Sequence, residues 1–568
     1  RGIQSAEELQ YELAGLLPFH QLHDIEKAAS LISDAIESQQ RILIVGDFDA
    51  DGATSTALAI RALRQFGAHE ACYLVPNRFE YGYGLTPEIV EVARHMQPQL
   101  LITVDNGISS IEGVKAAREA GMTVVVTDHH LAADELPEAD AIVNPNQPAC
   151  QFESKAACGC AVIFYVMTAV RTELRQRGWF ASRPEPNMAQ FLDLLALASV
   201  ADVVPLDKNN RIFVDQGLKR IRAGRSIAGI RALLTIGGKQ AHNLVASDLG
   251  FAIGPRLNAA GRLDDMATGI ECLLTDSDAL AQQYAEELNS LNEERKNIER
   301  EMQQQALISL QSQTLLTTID QAEKDVSALP WGLCIYDAQW HQGVIGILAS
   351  RIKDKVHRPV IAFANADTDL SLTTQEIKGS ARTIPGLHIR DALDLIAKRR
   401  PDILTKFGGH AMAAGLSIKL EHYNEFQQLF DQVCSELLTA DQLESIAYIH
   451  NAGKELLGLV TITLEFSDLH DALISHKVNF KIEVLLDELS HEYEQLSSNA
   501  SIAIHCSNLK TFPIKTIHSD PNLMKQILGI FLKNAIQYSK KGECVIIKSL
   551  LTESGKLRIN VIDSGKGI

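Results

Sequence analysis

An α/β fold is predicted, with a parallel sheet in the first half joined by a long helix to a second α/β domain. Three observations predict it. Residues 42–45, 101–104 and 124–127 are short, β-branched apolar runs of the kind that form buried strands. Helical stretches at 53–66, 87–96 and 110–120 alternate with them, and such alternation implies parallel strands with right-handed crossovers. From Asp276 to about Thr314 the chain is charged and Gln-rich without Gly or Pro, which reads as one extended helix between domains.

Taken in order, residues 1–40 read as a helical region, with Ser5 capping Ala6-Glu7-Glu8. The strand–helix alternation opens a domain over 41–235, mainly helical from 160 onward. A connecting region over 236–325 carries the long helix. A second α/β pattern spans 326–446, with strand candidates at 333–336 and 360–363. The character changes at about 447. Residues 453–469 are helical and apolar-periodic, and 447–568 form a further mixed α/β fragment.

Composition sets the bounds. At 568 residues the chain is too long for one core, so three or more domains are expected. No apolar run reaches membrane-spanning length; residues 191–204 come closest and carry Asp193 and Asp202. No basic stretch followed by an apolar one opens the chain, and a cytoplasmic location without membrane association is the expectation. The nine cysteines lack zinc-finger spacing, and Cys158-Gly159-Cys160 is too tight for a zinc pair, so buried reduced thiols are expected. The net charge of -18 argues against a surface coated in positive charge but not against a local basic groove.

The chemistry sits where the predicted strands end. The first run closes in Gly46-Asp47-Phe48-Asp49-Ala50-Asp51-Gly52, the second in Asp105-Asn106-Gly107, the third in Asp128-His129-His130. Ligands of parallel sheets bind outside the carboxyl ends of the strands, so the three ends converge on one crevice. Alone, each is an ordinary acidic turn; together they make a metal site. Carboxylates mixed with imidazole suit Mn²⁺ or Mg²⁺, and their density suits two ions. Gly52 permits close backbone approach, and the helix behind it turns its N-terminus toward an anion. No Gly-x-Ser-x-Gly elbow supports a serine nucleophile.

Asp128-His129-His130 is the signature of the DHH phosphoesterase superfamily, and the chain resembles that superfamily's single-strand-specific exonucleases over residues 1 to about 445. The matching stretches are VGDFDADGATSTAL, LVPNRFEYGYGL, TVDNGISS, VVTDHHL, ASVADVVPLD, GFAIGPRLNAAGRLDD, WHQGVIGILASRIK and KFGGHAMAAGLS, in family order. The resemblance implies Asp49, Asp51, Asp105, His129 and Asp202 as metal ligands, with Asp105 bridging two ions. Asp47 and Asp128 become outer partners that orient ligands. His130 contacts the scissile phosphate or protonates the leaving oxygen. The implied activity is hydrolysis of single-stranded DNA, 5′ to 3′ with release of mononucleotides, in repair and recombination. The alternative within the superfamily is a phosphodiesterase of short oligonucleotides or cyclic dinucleotides. Single-strand-binding protein and a helicase are the implied partners.

Substrate contacts are expected in the second lobe. Lys378-Gly379-Ser380-Ala381-Arg382 has the makings of a phosphate clamp, and Gly408-Gly409-His410 those of an anion-binding nest. Arg256, Asn258 and Arg262 resemble family residues facing the phosphate chain. Asn77-Arg78-Phe79 and Tyr81-Gly82-Tyr83 either stack bases or pack beneath a loop.

Beyond about 447 the family pattern breaks. An oligonucleotide-binding barrel is expected there, yet residues 448–460 resemble the second helix of a sensor histidine kinase dimerisation hairpin. Residues 526–538 resemble the N box of its ATP-binding domain, and 561–568 its first glycine box. The resemblance implies Mg²⁺ binding by Asn534 and adenine binding by Asp563. Without a phosphoacceptor helix or a second glycine box, the fragment is expected to be vestigial.

Overall fold

The computed structural model describes residues 10–76, 84–133, 135–312, 330–366, 376–409, 411–438, 478–493, 497, 502–507, 516–539, 542–551 and 557–563. The chain divides into two compact units, Arg1–Ala440 and Asp441–Ile568.

In the first unit, β1 (Ile42–Gly46), β2 (Ala71–Leu74), β3 (Leu100–Val104), β4 (Thr123–Thr127) and β5 (Ala141–Val143) form a sheet in the order β2-β1-β3-β4-β5, parallel throughout. The strands are continuous apolar runs because both faces are covered. Ile42, Ile44, Leu100 and Ile102 face a core built with α1 (Ile25–Glu37), α2 (Ala50–Phe66), α5 (Gly159–Gln176) and α6 (Leu192–Ala201). Leu43, Val45, Leu101, Val124 and Val126 face the opposite core, with α3 (Pro87–His95) and α4 (Ile111–Glu119). Ile25, Ala28, Ile32 and Ile36 put α1 inside the first of these cores; the Ser5 cap lies outside the described residues.

One boundary differs from expectation. The helix after β1 begins at Ala50, not Ala53, because Asp49 caps it: its carboxylate accepts from the amides of Asp51 and Gly52 at 2.9 and 3.0 Å. Asp51 therefore stands in the first helical turn.

Helices α7 (Lys208–Arg222), α8 (Ala228–Ile236) and a single turn α9 (Ala246–Asp248) lead into a π-helical turn, Leu249–Ile253. Then come α10 (Gly254–Leu263), α11 (Ala267–Leu274) and the long α12 (Asp278–Ser312). Ala281, Ala285 and Leu288 seat the start of α12 in the first core. Met302 and Ala306 seat its later turns in a different core, with Leu333, Trp340, Leu348 and Val360. One helix is thus built into both lobes.

The second lobe is a mixed sheet in the order β6-β7-β8-β10-β9, from β6 (Leu333–Tyr336), β7 (Val360–Asn365), β8 (Glu376–Arg382), β9 (Lys406–Gly409) and β10 (Ala413–Lys419). Only β6 and β7 pair in parallel. Helices α13 (Ile345–Val356), α14 (Ile389–Arg399) and α15 (Tyr423–Leu437) accompany it.

The second unit contains a β11 (Val478–Phe480)–β13 (Ile517–Ser519) pair and a three-stranded sheet. In that sheet β14 (Cys544–Leu551) is parallel to β12 (Ala503–Ser507) and antiparallel to β15 (Leu557–Ile562). Leu486 and Leu489 of α16 (Ile482–Glu492) pack with Leu532 and Ala535 of α17 (Pro521–Tyr538) and with Val545.

Candidate metal centre

The ends of β1, β3 and β4 and the end of α6 bring the acidic residues and His129 together. Ligand atoms of Asp47, Asp49 and Asp105 lie within 4.8 Å of one another, as do those of Asp51, His129 and Asp202, and those of Asp105, His129 and His130. His129 Nε2 is 3.1 Å from Asp105 Oδ1, 3.8 Å from Asp202 Oδ2 and 3.9 Å from Asp51 Oδ2. Asp105 and His129 each occur in two of these groups.

Local geometry fixes each group. Asp105 follows β3 with φ 63, the left-handed region that Asp tolerates better than most residues. Beside it Asn106 is buried, and its Nδ2 donates to the carbonyls of Val45 and Val104 at 3.1 and 2.9 Å, fastening the ends of β1 and β3. Asp51 accepts from the amides of Gly159 and Cys160 at 2.6 and 2.9 Å. Asn146 and Asn144 donate to the carbonyls of His129 and His130 at 2.5 and 2.9 Å. Asp202 closes α6 as its C-cap.

The electrostatics match the crowding. Burial, then the charge of Asp49, pushes Asp51 up to about 7. Burial, then Asp51, raises Asp202 to about 8. Asp105 is raised too, by burial and then by Asp51, Asp49, Asp47 and Asp202. Burial and neighbouring His130 lower His129 to about 4, so its ring is neutral at pH 7 and its nitrogen can ligate. Buried carboxylates that repel one another beside a neutral imidazole are the donor set a pair of hard divalent cations neutralises. The residues therefore fit Mn²⁺ or Mg²⁺.

His130 has a different environment. Its Nδ1 lies 2.8 Å from Asp128 Oδ1, which also accepts from the amides of His129 and His130 at 2.7 and 3.1 Å. Burial works against the imidazolium, but the bond and charge of Asp128 prevail and raise His130 to about 9. For Asp128, burial pushes upward and is outweighed by the same bond, so its carboxyl sits below the usual range. Asp128 Oδ2 is meanwhile held by the amide of Ile108 at 2.9 Å.

The residues read as substrate contacts are placed less uniformly. Asn258 Oδ1 accepts from the Ala50 amide at 2.8 Å, so its carbonyl is engaged with the acidic turn. Arg256 donates from Nε to Asn289 Oδ1 at 3.0 Å and from Nη1 to the Ala252 carbonyl at 2.5 Å. Arg262 Nη1 is 3.3 Å from the Gly343 carbonyl, between the lobes. Ser380 and Arg382 lie on β8, with Arg382 Nη1 donating to Ser380 Oγ at 3.1 Å. An added Cβ on Gly346 would lie 2.9 Å from both Ser380 Oγ and Arg382 Nη2, so the first turn of α13 abuts the pair. Gly408 and Gly409 end β9, an edge strand paired with β10, and Gly409 has φ 145. His410 and residues 77–83 lie outside the described residues.

Sequence reasoning passed over Asn106, Asn144 and Asn146, and read Cys158-Gly159-Cys160 only as thiols. Cys158 and Cys160 are indeed buried and free; the further role of the segment is its backbone. The one visible signal was Asn144-Pro145-Asn146, a turn directly after a strand.

In the second unit Asn534 is exposed on α17 and Asp563 is exposed at the end of β15. Residues 448–460 and the glycines at 565 and 567 lie outside the described residues.

Comparison with known proteins agrees with this geometry. Residues 41–199 match the DHH family, N-terminal domain, and residues 327–436 match the DHHA1 domain. The single-stranded-DNA-specific exonuclease RecJ of Dickeya dadantii is 52% identical over 450 residues, covering 79% of this chain and 76% of the relative. Its Escherichia coli counterpart is 52% identical over 446 residues, covering 78% and 75%. Among solved structures, exonuclease RecJ bound to manganese superposes with a TM-score of 0.61 at 30% identity, covering 76% of this chain and all of that one. RecJ from Thermus thermophilus with Mn²⁺ gives 0.59 at 30% identity, covering 75% and 56%. With this identity spread over three quarters of both sequences, the chain belongs to the RecJ family of DHH phosphoesterases.

Proposed function

We propose that this chain is a metal-dependent exonuclease that hydrolyses single-stranded DNA from 5′ to 3′, releasing mononucleotides, in DNA repair and recombination. The observation that carries the reading is the convergence of Asp49, Asp51, Asp105, His129 and Asp202 at the carboxyl edge of a parallel sheet, with Asp51 and Asp105 buried. Its RecJ relatives are named for single-stranded DNA.

Asp49, Asp51, Asp105, His129 and Asp202 would hold two divalent ions, with Asp105 shared and Asp47 beside Asp49 within ligating reach. When bound, such ions neutralise the phosphodiester and acidify the attacking water. Asp128 holds His130 protonated, so the imidazolium can donate to a phosphoryl oxygen or to the departing sugar oxygen. Ser380 and Arg382 of β8 supply donors for a phosphate further along the strand. Single-strand-binding protein and a helicase are the accessory partners of this reading, and its place of action is the cytoplasm. Among the described residues no helix is long and apolar enough to cross a membrane. For the second unit we propose no autokinase activity; an ATP-dependent phosphohistidine would overturn that.

The test is Mn²⁺-dependent digestion of a 5′-labelled single-stranded oligonucleotide beside its duplex, with Asp105→Ala as control. Mononucleotides from the single strand alone, lost in the variant, support the reading. Hydrolysis confined to dinucleotides would replace it with a short-substrate phosphodiesterase. Unchanged cleavage by Asp105→Ala would remove the metal mechanism.

A further inference from the structure

Helix α5 starts against the acidic cluster, and its first residue has no side chain. The Gly159 amide donates to Asp51 Oδ2 at 2.6 Å and the next amide, that of Cys160, to Asp51 Oδ1 at 2.9 Å. Both oxygens of one carboxylate are thereby gripped by two successive backbone donors at a helix N-terminus, where the dipole also favours negative charge. On its other side Gly159 touches Asp105. An added Cβ would lie 2.5 Å from Asp105 Oδ1, 2.7 Å from its Cβ and 2.8 Å from its Cγ. Real Cβ atoms do not come that close, so any side chain at 159 must move Asp105 or α5. Neither moves easily. Asp105 is buried, in a left-handed backbone conformation at the end of a central strand. The first turns of α5 are buried from Gly159 to Met167.

We infer that Gly159 is a positioning residue of the metal centre: its amide orients Asp51 while its missing side chain leaves the space that Asp105 occupies. Two candidate ligands, from the first turn of α2 and the end of β3, are thus registered against one point of α5. This rests on the metal-centre reading above and adds a residue that touches neither substrate nor metal. The neighbouring thiols contribute little charge, since burial raises both Cys158 and Cys160.

The experiment is Mn²⁺ titration of the full chain, following free Mn²⁺ by electron paramagnetic resonance, for wild type, Gly159→Ala, Cys160→Pro and Gly332→Ala. Cys160→Pro withdraws the second amide donor from Asp51 and, because the residue before a proline is pushed out of the helical region, turns the Gly159 amide away as well. Gly332 directly precedes β6, where an added Cβ would meet Cys434 Sγ and Phe430 Cδ1 at 2.8 Å; its substitution strains the second lobe, which carries none of the candidate ligands. Gly159→Ala and Cys160→Pro are expected to weaken Mn²⁺ binding at least ~10-fold, as loss of a ligand-orienting contact does. Gly332→Ala should lower thermal stability with the affinity of its folded fraction kept. Wild-type affinity in Gly159→Ala would overturn the inference. If Gly159→Ala does not fold, wild-type affinity in Cys160→Pro would overturn it instead. If wild type itself binds no Mn²⁺, the metal-centre reading has failed rather than the role of Gly159.

Discussion

Asn258 Oδ1 accepts the backbone amide of Ala50 at 2.8 Å, across 208 residues of sequence. Ala50 stands between Asp49 and Asp51, so this bond pegs the acidic turn to α10. The same helix brings Gly261 against the turn so tightly that an added Cβ would lie 1.8 Å from the Phe48 carbonyl. Helix α10 is therefore a brace for the metal turn, whatever else its arginines contact.

Asn258→Ala leaves the Ala50 amide unpaired, a loss of about 1–3 kcal/mol. Lower thermal stability and a higher Mn²⁺ requirement are expected, with activity restored by excess Mn²⁺. Asn258→Asp, which keeps an acceptor, should retain more of both. If Asn258 acted chiefly on DNA, KM for the oligonucleotide would rise at saturating Mn²⁺ with stability unmoved. Steady-state kinetics beside a melting curve separate the two.

Asp105→Asn keeps the size and the left-handed backbone preference but removes one charge from a repelling cluster. Differential scanning calorimetry of the metal-free protein should show a melting temperature at or above wild type. Mn²⁺ should no longer raise it, and cleavage should fall by at least ~10³-fold, a loss of several kcal/mol of charge stabilisation. A metal-free variant melting well below wild type would mean that Asp105 is structural before it is a ligand.

Between pH 6.5 and 9 the metal-free enzyme should lose stability as pH rises. The sign follows from the raised groups. Asp51 at about 7, Asp202 at about 8 and His130 at about 9 bind protons more tightly folded than unfolded. Their contribution is present at low pH and is lost as pH passes through the folded values. His129 and Asp128, both lowered, are already deprotonated in both states at the top of this window. Saturating Mn²⁺ displaces the carboxylate protons and should flatten or reverse the slope. Melting curves at pH 6.5, 7.5 and 8.5, with and without Mn²⁺, test this; a flat metal-free series contradicts the crowding.

Asp128→Asn should shift the alkaline limb of the rate profile. In wild type His130 stays protonated to about pH 9 because Asp128 bonds its Nδ1. Losing that charge lets burial dominate, so the limb moves toward or below the ordinary imidazole value of about 6.5. An unmoved limb would remove His130 as the proton donor.

The parts of the sheet and site that sequence revealed were those encoded within a few residues. Residues 42–45 are β-branched and apolar because both faces of β1 are buried, and the acidic turn follows without a gap. The start of α2 was misplaced by three residues because Asp49 looks like a ligand and acts also as a cap. The grip of Gly159 on Asp51 spans 108 residues, and that of Asn258 on Ala50 spans 208. No local pattern carries such pairings. Strand β8 was hidden differently. Its buried positions Ile377, Gly379 and Ala381 alternate with Lys378, Ser380 and Arg382, so polar residues dominate the eye where the period of two is the real signal.

Lys378, Ser380 and Arg382 share one face of β8, and Ser380 and Arg382 stand beside the first turn of α13. If this face holds a backbone phosphate, Arg382→Ala should raise KM about tenfold with kcat nearly unchanged, since uniform binding is lost rather than transition-state contact. The salt dependence of DNA affinity should also lose about one unit of slope, one phosphate contact fewer. Fluorescence anisotropy of a labelled oligonucleotide at several salt concentrations, with Ca²⁺ replacing Mn²⁺ to suppress cleavage, measures that slope. A fall in kcat with KM and slope preserved would place Arg382 at the reacting phosphate instead of along the strand.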